Sequence, residues 1–569
     1  MTMKHLLGVL ASLCLVTGSH AATDYPSGYT KCVQNTGATC SFSGTRSVAL
    51  GKSGSFVYGT FTNSVVCSSS NFPSNSFTTS AWCSYAGSTT SSSSSAPASS
   101  SSSSKASSSV ASSVASSSSS KSSSSSSVSS SKSSSSVASS VASSATSSYA
   151  AVTSQYVYRN ITTSNALYKD SAHFRVYYGG SGKTGGGILG SNSSAQVTEM
   201  LDYLESAYDY WVVQRGFRSP GRPVNGKSGG PFKMNVYTTN DLDAGGAMGY
   251  DANAGLPYLI VHTNQVDYSN VYVHEFGHCI TLSEYLWVDK GNTGAWWETL
   301  AQWHTDTFLA FASQHATVAA RYGQPTTETI INLDSTISQS RLTLVHADNR
   351  YEAWPFFSYI SANPDNISGL GANAVRTMYR SYQGTETPLH TVARMSSTSW
   401  QRVVGNYWAR MAYMDINHPL AQQQLFNNIN NSTFRANSYR NLSTVATNTY
   451  RVISSRQPMY GGANINPLTV TGSGSVSFTV KNLGNGLSDS NFTATVAIRN
   501  TSNGSVRYVQ LASGAGSVSI ASGEEASLVV ANTPNNLITY DAFASTSSSP
   551  EVKGLNYEVV IVGAKPRDL

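Results

Sequence analysis

The chain has 569 residues, a formal net charge of +6 at pH 7 and a charged fraction of 11%. That length predicts several domains, and the small charge, without a Lys/Arg cluster that would follow a phosphate backbone, argues against nucleic acid as a partner. Beyond the first residues, no segment approaches the ~20 consecutive apolar residues of a membrane span, so we expect no membrane partner either.

Residues 1–21 predict a secretory signal peptide. Lys4 precedes an apolar run at 6–16, and the small residues around Ala21 suit cleavage after that position. A lipoprotein anchor at Cys14 is not expected, because Leu13 stands where such a signal requires a small side chain. We therefore expect a secreted, extracellular protein without a lipid anchor.

Residues 22–87 alternate short β-type runs with Gly and Ser turns, which predicts a small β module. Its four cysteines predict two disulfides, whose pairing the spacing does not determine; they are Cys32, Cys40, Cys67 and Cys83. The module also carries aromatic residues that either stack on sugar rings or form its core; these are Tyr25, Tyr29, Tyr58 and Trp82.

Residues 88–150 are almost entirely Ser, which predicts a flexible linker because such a segment buries too little apolar surface to fold. A linker of this kind keeps the flanking parts close to one another and so raises their effective concentration on a common surface. Residues 40–46 and 54–58, together with the poly-Ser linker, resemble accessory modules of secreted bacterial polysaccharide-degrading enzymes. That resemblance implies a polysaccharide-binding module.

Residues 151–458 predict a mixed sheet followed by a helical half, the α+β layout of a zincin-like catalytic domain. Strands are expected at 173–178, 232–237 and 258–262, and a helix at 195–216. We expect 258–262 to be the edge strand that aligns an extended substrate. The glycine-containing segment 245–249 before it is expected to be a substrate loop.

Residues 459–569 are rich in Val, Thr, Ser and Gly with apolar residues at every second position, as at 475–481. This alternation predicts an immunoglobulin-like β-sandwich. The sandwich either packs and spaces the chain or binds glycan or protein, and the first role is the simpler expectation.

The sequence His274-Glu275-Phe276-Gly277-His278 predicts a zinc site, because a helix places the two imidazoles on one face, one turn apart. Glu275 is then the general base. The alternative is that both histidines are packed helix residues without a metal. Cys279 follows the motif, and we interpret it as a buried helix cysteine facing away from the metal, rather than as a ligand or nucleophile.

Two glutamates compete for the third ligand position. Glu284 has the metzincin spacing, but Thr281 occupies the place where those proteins need a glycine to turn the chain out of the helix. Glu298 follows a break at 290–294 and lies on a second predicted helix, with a spacing like that of gluzincins, the thermolysin-like zinc peptidases. We favour Glu298.

The motif at 274–278 with Trp296-Trp297-Glu298-Thr299, flanked by 255–259 and 351–356, resembles a family of secreted microbial proteins. That family is catalogued as a domain of unknown function and regarded as metallopeptidases. The resemblance covers most of the central region and part of the tail. It implies a zinc fold but indicates no substrate.

The predicted mechanism is zinc-assisted hydrolysis, with His274, His278 and Glu298 as ligands and Glu275 taking and returning a proton. The donor to the oxyanion is left open among three residues, each of which has packing as its alternative role; they are Tyr351, which the resemblance favours, His346 and His304. Gln302 or Asp306 is expected to orient an imidazole by accepting its second N–H.

The sequence thus predicts a secreted zinc peptidase that cleaves proteins or glycoproteins and is tethered to a module for cell-wall polysaccharide. The alternative is a glycan-binding or polysaccharide-degrading protein in which the metal site is structural or inactive. Polysaccharide hydrolysis usually needs two facing carboxylates, and Asp/Glu pairs are sparse in this chain.

Overall fold

The protein is described here by a computed structural model. It describes residues 19–20, 29–34, 37–52, 55–72, 81–86, 151–156, 166–180, 183–184, 187–188, 190–284, 291–323, 325, 327–472 and 474–569. The predicted linker at 88–150 and residues 1–18 of the predicted signal peptide lie outside these ranges. Within these ranges, no helix is long and apolar enough to cross a bilayer.

The N-terminal module is a four-stranded antiparallel sheet in the order β2-β5-β3-β4. The strands of this part of the chain are β1 (Ser19–His20), β2 (Tyr29–Gln34), β3 (Thr39–Lys52), β4 (Ser55–Val66) and β5 (Trp82–Ala86). Two disulfides, Cys32–Cys40 and Cys67–Cys83, confirm the predicted number and supply the pairing. Three of these cysteines are fully buried, so the disulfides form much of the small core.

Tyr29, Tyr58 and Trp82, three of the four candidate stacking residues, lie outside that core. Tyr58 is 48% exposed and packs edge-on against Tyr29, with ring centroids 6.0 Å apart. The Lys31 ammonium lies 3.9 Å from the centre of the Trp82 ring and covers one of its faces. Tyr58 is therefore free to stack on a ligand, whereas Tyr25 lies outside the described residues.

The central region contains a six-stranded sheet in the order β1-β11-β12-β10-β7-β6. Its further strands are β6 (Ala166–Asp170), β7 (Phe174–Gly180), β10 (Met234–Thr239), β11 (Gly246–Asp251) and β12 (Leu256–His262); β8 (Lys183–Thr184) and β9 (Gly187–Ile188) form a separate hairpin. Strands β7, β10 and β12 run parallel to one another. They coincide with the three predicted strands.

Strand β12 is not the edge strand that we predicted. Strand β11 pairs antiparallel with it over its full length, from Gly246 opposite Val261 to Asp251 opposite Leu256. The segment that we expected to be a substrate loop is thus a strand. Its glycines and small residues hid the alternation by which a half-buried strand is recognised.

Helix α1 (Ser194–Tyr208) covers the sheet and begins with a capping box between Ser193 and Gln196. It continues as a π-helical turn at Asp209–Gln214, close to the predicted end of this helix. The other helices are α2 (Ser269–Ser283), α3 (Gly294–Leu309), α4 (Ala316–Tyr322), α5 (Leu333–Ser338), α6 (Pro355–Ala362), α7 (Ala374–Ser381), α8 (Pro388–Met395), α9 (Trp400–Met411), α10 (Pro419–Asn428) and α11 (Ser432–Tyr439).

Two five-stranded antiparallel sheets form the C-terminal unit and enclose a common apolar core. The first, in the order β13-β14-β21-β16-β19, contains β13 (Leu442–Ala446), β14 (Thr449–Val452), β16 (Ser475–Gly484), β19 (Ala515–Ser519) and β21 (Asn556–Val562). The second, in the order β18-β17-β20-β15-β22, contains β15 (Ala463–Val470), β17 (Phe492–Asn500), β18 (Val506–Gln510), β20 (Glu524–Asn532) and β22 (Ala564–Pro566). The first strand of the C-terminal unit, β13, precedes residue 459, where we expected this unit to begin.

The helical half and the sheets of the C-terminal unit share one apolar core. Ile465 and Val529, on two strands of the second sheet, belong to the same buried cluster as the helices around α2 and α3. The Trp408 indole N–H donates to the Gly461 carbonyl at 2.7 Å, and the Tyr540 hydroxyl donates to the Val345 carbonyl at 2.8 Å. The C-terminal sheets therefore support the helices that carry the site described next.

Candidate metal centre

Helices α2 and α3 bring His274, His278 and Glu298 together. Nε2 of His274 lies 3.1 Å from Oε2 of Glu298, and Nε2 of His278 lies 3.4 Å from the same oxygen. One ligand atom from each residue lies within 4.8 Å of the other two, and all three side chains are buried. These three side chains could hold a metal ion, and they include Glu298, the glutamate that we favoured.

A glycine on α2 allows the two helices to approach this closely. A Cβ atom built on Gly277 would lie 3.1 Å from the Ala301 Cα and 3.1 Å from the His304 Cβ, both on α3. Because these atoms belong to a helix backbone and its first side-chain atoms, they cannot rotate away. Packing against α3 therefore requires a glycine at position 277, between the two histidines.

Gly277→Ala should consequently destabilise the protein. Alanine favours a helix interior over glycine by about 1 kcal/mol, but overpacking at a tight contact costs about 1–3 kcal/mol, so we expect a net loss. Urea unfolding measures it. Gly472→Ala is the control, because its Cβ would meet only the Gly563 Cα at 3.9 Å; a Gly277→Ala protein more stable than the wild type would contradict this packing role.

Neighbouring side chains orient the two imidazoles. Nδ1 of His274 lies 3.1 Å from Oε1 of Gln302, one turn after Glu298 on α3. When Nδ1 carries the proton and donates it to this oxygen, Nε2 presents its lone pair toward Glu298 and His278. The Trp297 ring stacks on His278, with centroids 5.1 Å apart and planes 18° from parallel. Of the two residues proposed to orient an imidazole, Gln302 has the required contact.

Asp306 has a different role. Its Oδ2 lies 2.5 Å from Nε2 of His418, and its Oδ1 accepts the Ile330 backbone N–H at 2.9 Å and the Thr329 hydroxyl at 2.5 Å. These partners join the end of α3 to the chain before α5 and to the start of α10. The expectation that Asp306 orients a metal-binding imidazole is therefore wrong. The spacing between Glu298 and Asp306 gives no information about His418, which is distant in sequence but contacts the Asp306 carboxylate.

Glu275 lies beside the three ligands and against strand β11. A Cβ on Gly246 would approach the Glu275 Cγ to 2.8 Å, so only glycine lets the strand pass over this carboxylate. Neither carboxylate oxygen has a well-formed hydrogen bond to any described residue. Burial raises the pKa of Glu275 well above its usual value, the Glu298 charge adds to the rise, and the Met248 backbone N–H opposes it.

His278 and Glu298 have ionisation states that suit a cation. Burial lowers the pKa of His278 to about 4, so its imidazole is neutral at pH 7. Burial opposes ionisation of Glu298, but His278 and His274 together hold the pKa of this carboxyl well below its usual range. Metal ligands must be neutral imidazoles and ionised carboxylates, so the states of His278 and Glu298 are compatible with a bound cation.

The sequence model of a family of unknown function (DUF6055) matches residues 128–568. The chain belongs to this family. The matched range contains five of the six strands of the central sheet (all but β1), all eleven described helices and the C-terminal sheets, and it starts after the disulfide-bonded module. A search among curated proteins finds no match. Membership of DUF6055 therefore covers the helices that carry the candidate metal ligands but assigns them no reaction.

Glu284, the competing third ligand, is engaged elsewhere in the DUF6055 region. Its carboxylate accepts from Nε and Nη2 of Arg380 at 2.6 and 2.7 Å, and from the Arg218 backbone N–H at 2.5 Å. Helix α2 continues as far as Ser283, so no turn redirects Glu284 toward the histidines. Cys279 is fully buried in the main apolar core, as expected, and burial raises the pKa of its thiol.

The DUF6055 region places the three candidate oxyanion donors differently. The Tyr351 ring lies 6.2 Å from the His274 ring, and burial followed by the Glu298 charge raises the pKa of its hydroxyl well above the usual value. His346 contacts its own loop, with Nδ1 accepting the Asp348 backbone N–H at 3.1 Å. His304 is a fully buried residue of α3, and its Nε2 lies 3.2 Å from the Tyr379 hydroxyl. Tyr351 has the best position, and a catalytic role for any of them stays a prediction.

Sequence reasoning missed Gly246 and Met248 of β11 as neighbours of Glu275. Residues 245–249 combine glycines with Ala and Met, which is typical of a loop. The available signal was the apolar run at 256–262, since a strand of this composition is typically buried on both faces and so lies inside a sheet. That signal predicts a partner strand but not which segment supplies it.

Proposed function

We propose that the protein is a secreted, zinc-dependent peptidase. The observation that carries the proposal is the position of Glu275: its carboxylate lies next to a His/His/Glu set without belonging to it. A structural metal site has no use for a further buried carboxylate, whereas hydrolysis requires a base at that place. Two histidines and one glutamate are a catalytic ligand set for zinc, because three protein ligands leave one position open.

His274, His278 and Glu298 would hold the zinc ion. When bound, it would supply Lewis acidity and lower the pKa of water toward neutrality. Glu275 accepts the proton of the attacking water at its carboxylate and returns it to the leaving amine. Gln302 keeps His274 in one tautomer during this cycle, because its amide oxygen accepts the Nδ1 proton.

Strand β11 is suited to align an extended peptide beside Glu275. Its inner edge pairs with β12, while its outer edge pairs with Ser19–His20, which lie antiparallel to Met248 and Ala247. An edge that accepts one extended segment of chain also offers its backbone N–H and C=O groups to a substrate. This supports a peptide as the substrate in preference to a sugar.

The secretory context supports an extracellular substrate. The two disulfides of the module are typical of an oxidising compartment. The exposed Tyr58 is suited to stack on a sugar ring, so we propose that the module holds the enzyme near cell-wall polysaccharide, where it cleaves proteins or glycoproteins.

Tyr351→Phe should lower kcat for casein by about 10²–10³-fold if its hydroxyl donates to the oxyanion, since that is the usual effect of losing one such donor. The metal content should not change. The measurement is steady-state hydrolysis with metal analysis on the same sample. Tyr168→Phe, at an exposed position of β6, is the control. Normal kcat in Tyr351→Phe would make Tyr351 a packing residue.

The proposed function is tested by elemental analysis of the purified chain together with assays on casein and on soluble polysaccharides. We expect one zinc per chain and hydrolysis of casein that a chelator abolishes. Hydrolysis of polysaccharide without casein cleavage would favour the glycan-active alternative, and absence of a bound metal would refute the proposal.

A further inference from the structure

A cavity of about 440 Å³ lies beside the C-terminal half of α3. Cavities that bind small molecules have volumes of roughly 300–1,000 Å³. Its walls come from the π-helical turn after α1, from α3 and α6, and from the chain before α10, and none of the three candidate metal ligands lines it. Gln302 faces the metal site, and Trp303 is rotated from it by about 100° around the helix axis. The cavity is thus separate from the metal site.

One guanidinium gives this cavity its charge. Arg215 lines the wall and uses Nη2 to donate to the Ala372 carbonyl at 2.6 Å, but it forms no ion pair with any carboxylate of the described residues. Its guanidinium carbon lies 5.8 Å from the centre of the Tyr210 ring, which orients the planar group. A guanidinium has five N–H donors, so further donors stay available to a ligand.

No opposing charge lies in the described part of the wall. Among the described residues that line the cavity there is no Asp or Glu. Asp306 is fully buried behind the wall, with His418 on one oxygen and the Ile330 backbone N–H on the other. The cavity therefore offers a positive charge that is complementary to an anion.

The rest of the wall is mainly apolar and aromatic. Trp303 is 1% exposed, and its Nε1 has no acceptor among the described residues. Phe311 also lines the cavity and is 41% exposed. Such a wall is suited to an apolar body.

We propose that this cavity binds a small carboxylic acid with an apolar or aromatic body. The carboxylate lies on the Arg215 guanidinium, since planar N–H pairs match carboxylate geometry. The body packs against Trp303 and Phe311. This site is additional to the peptidase function and does not depend on it.

The test is isothermal titration of the full chain with 3-phenylpropanoate and with 3-phenylpropanamide, which has the same body without the charge. We expect the acid to bind at least about 10-fold more tightly, the effect of a charge-assisted hydrogen bond. Arg215→Gln should remove that preference, and Arg215→Lys should retain part of it. Acetyl-Gly-Gly-Phe in the same assay distinguishes peptide C-termini from free acids, both of which have the proposed chemistry.

Two further variants keep the result interpretable. Ser361→Phe fills the cavity without losing a hydrogen bond, because the Ser361 hydroxyl has no partner among the described residues, and it should abolish binding of both probes at an unchanged melting temperature. Glu298→Ala should leave binding of the acid intact, since that carboxylate belongs to the metal site.

Equal affinity for acid and amide, or no binding at millimolar concentration, would overturn the proposal. So would a preference that survives in Arg215→Gln. Loss of acid binding in Glu298→Ala would place the carboxylate at the metal centre instead. Each of these outcomes is independent of whether the chain cleaves casein.

Discussion

Glu275→Gln is expected to lower kcat for casein by about 10²–10⁴-fold, the usual contribution of a general base, and to leave one metal ion per chain. The amide keeps the shape of the side chain but cannot accept a proton from water. Because burial already disfavours the charged carboxylate, a neutral side chain at this place should not lower the melting temperature. Steady-state kinetics, elemental analysis and thermal unfolding on one preparation measure all three effects.

Glu328→Gln is the matched control, since Glu328 is exposed and distant in sequence from the motif. It should have wild-type activity. Full activity in Glu275→Gln would exclude Glu275 as the base and leave the cluster as a structural metal site. Loss of both metal and activity in Glu275→Gln would instead assign Glu275 a role in binding the ion.

Glu298→Ala should remove the bound metal and with it all casein hydrolysis. Loss of an outer partner of a metal ligand costs roughly 10–100-fold in affinity, and loss of a ligand itself should cost more. His274 and His278 would remain, but two imidazoles alone do not make up the ligand set of a zinc site. Competition with a chelator of known affinity, followed by elemental analysis, measures the change.

Glu284→Ala separates the two candidate third ligands. It should keep the metal and the activity but lower the free energy of unfolding, because Arg380 and the Arg218 backbone N–H lose their shared acceptor. Loss of metal in Glu284→Ala with full metal in Glu298→Ala would reverse the assignment. Equal retention in both variants would mean that the ion binds outside this cluster.

Much of the scaffold was predictable because its elements have strong local patterns. The strands at β7, β10 and β12 are short apolar runs bounded by polar or glycine-containing segments, and α1 carries buried residues at helical spacing. Strand β11 was not predictable in this way. The strand can pass over Glu275 only because Gly246 has no side chain. In the sequence alone, a glycine at this position predicts a loop and not a strand.

The position at which the C-terminal sheets begin was also not predictable from local sequence patterns. Strands β13 and β14 precede residue 459, yet β14 pairs with β21 more than 100 residues later. Strand β13 is exposed except for Leu442, and β14 has only four residues, so neither gives an alternation long enough to detect. Pairing with a distant strand, and not local composition, decides that they belong to the sheets.

The sequence by itself determined the positions of His274, Glu275 and His278 on one helix, and the need for two disulfides in the N-terminal module. Both follow from local chemistry: the helical period fixes which side chains share a face, and clustered cysteines in an exported chain form disulfides. The tertiary structure alone decided the rest of the site. It pairs Cys32 with Cys40. It brings Glu298 to the histidines because α3 packs on α2 at Gly277, and it places Glu284 in an ion pair with Arg380. These choices depend on which segments, far apart in sequence, bury each other's surfaces, and no local spacing encodes that.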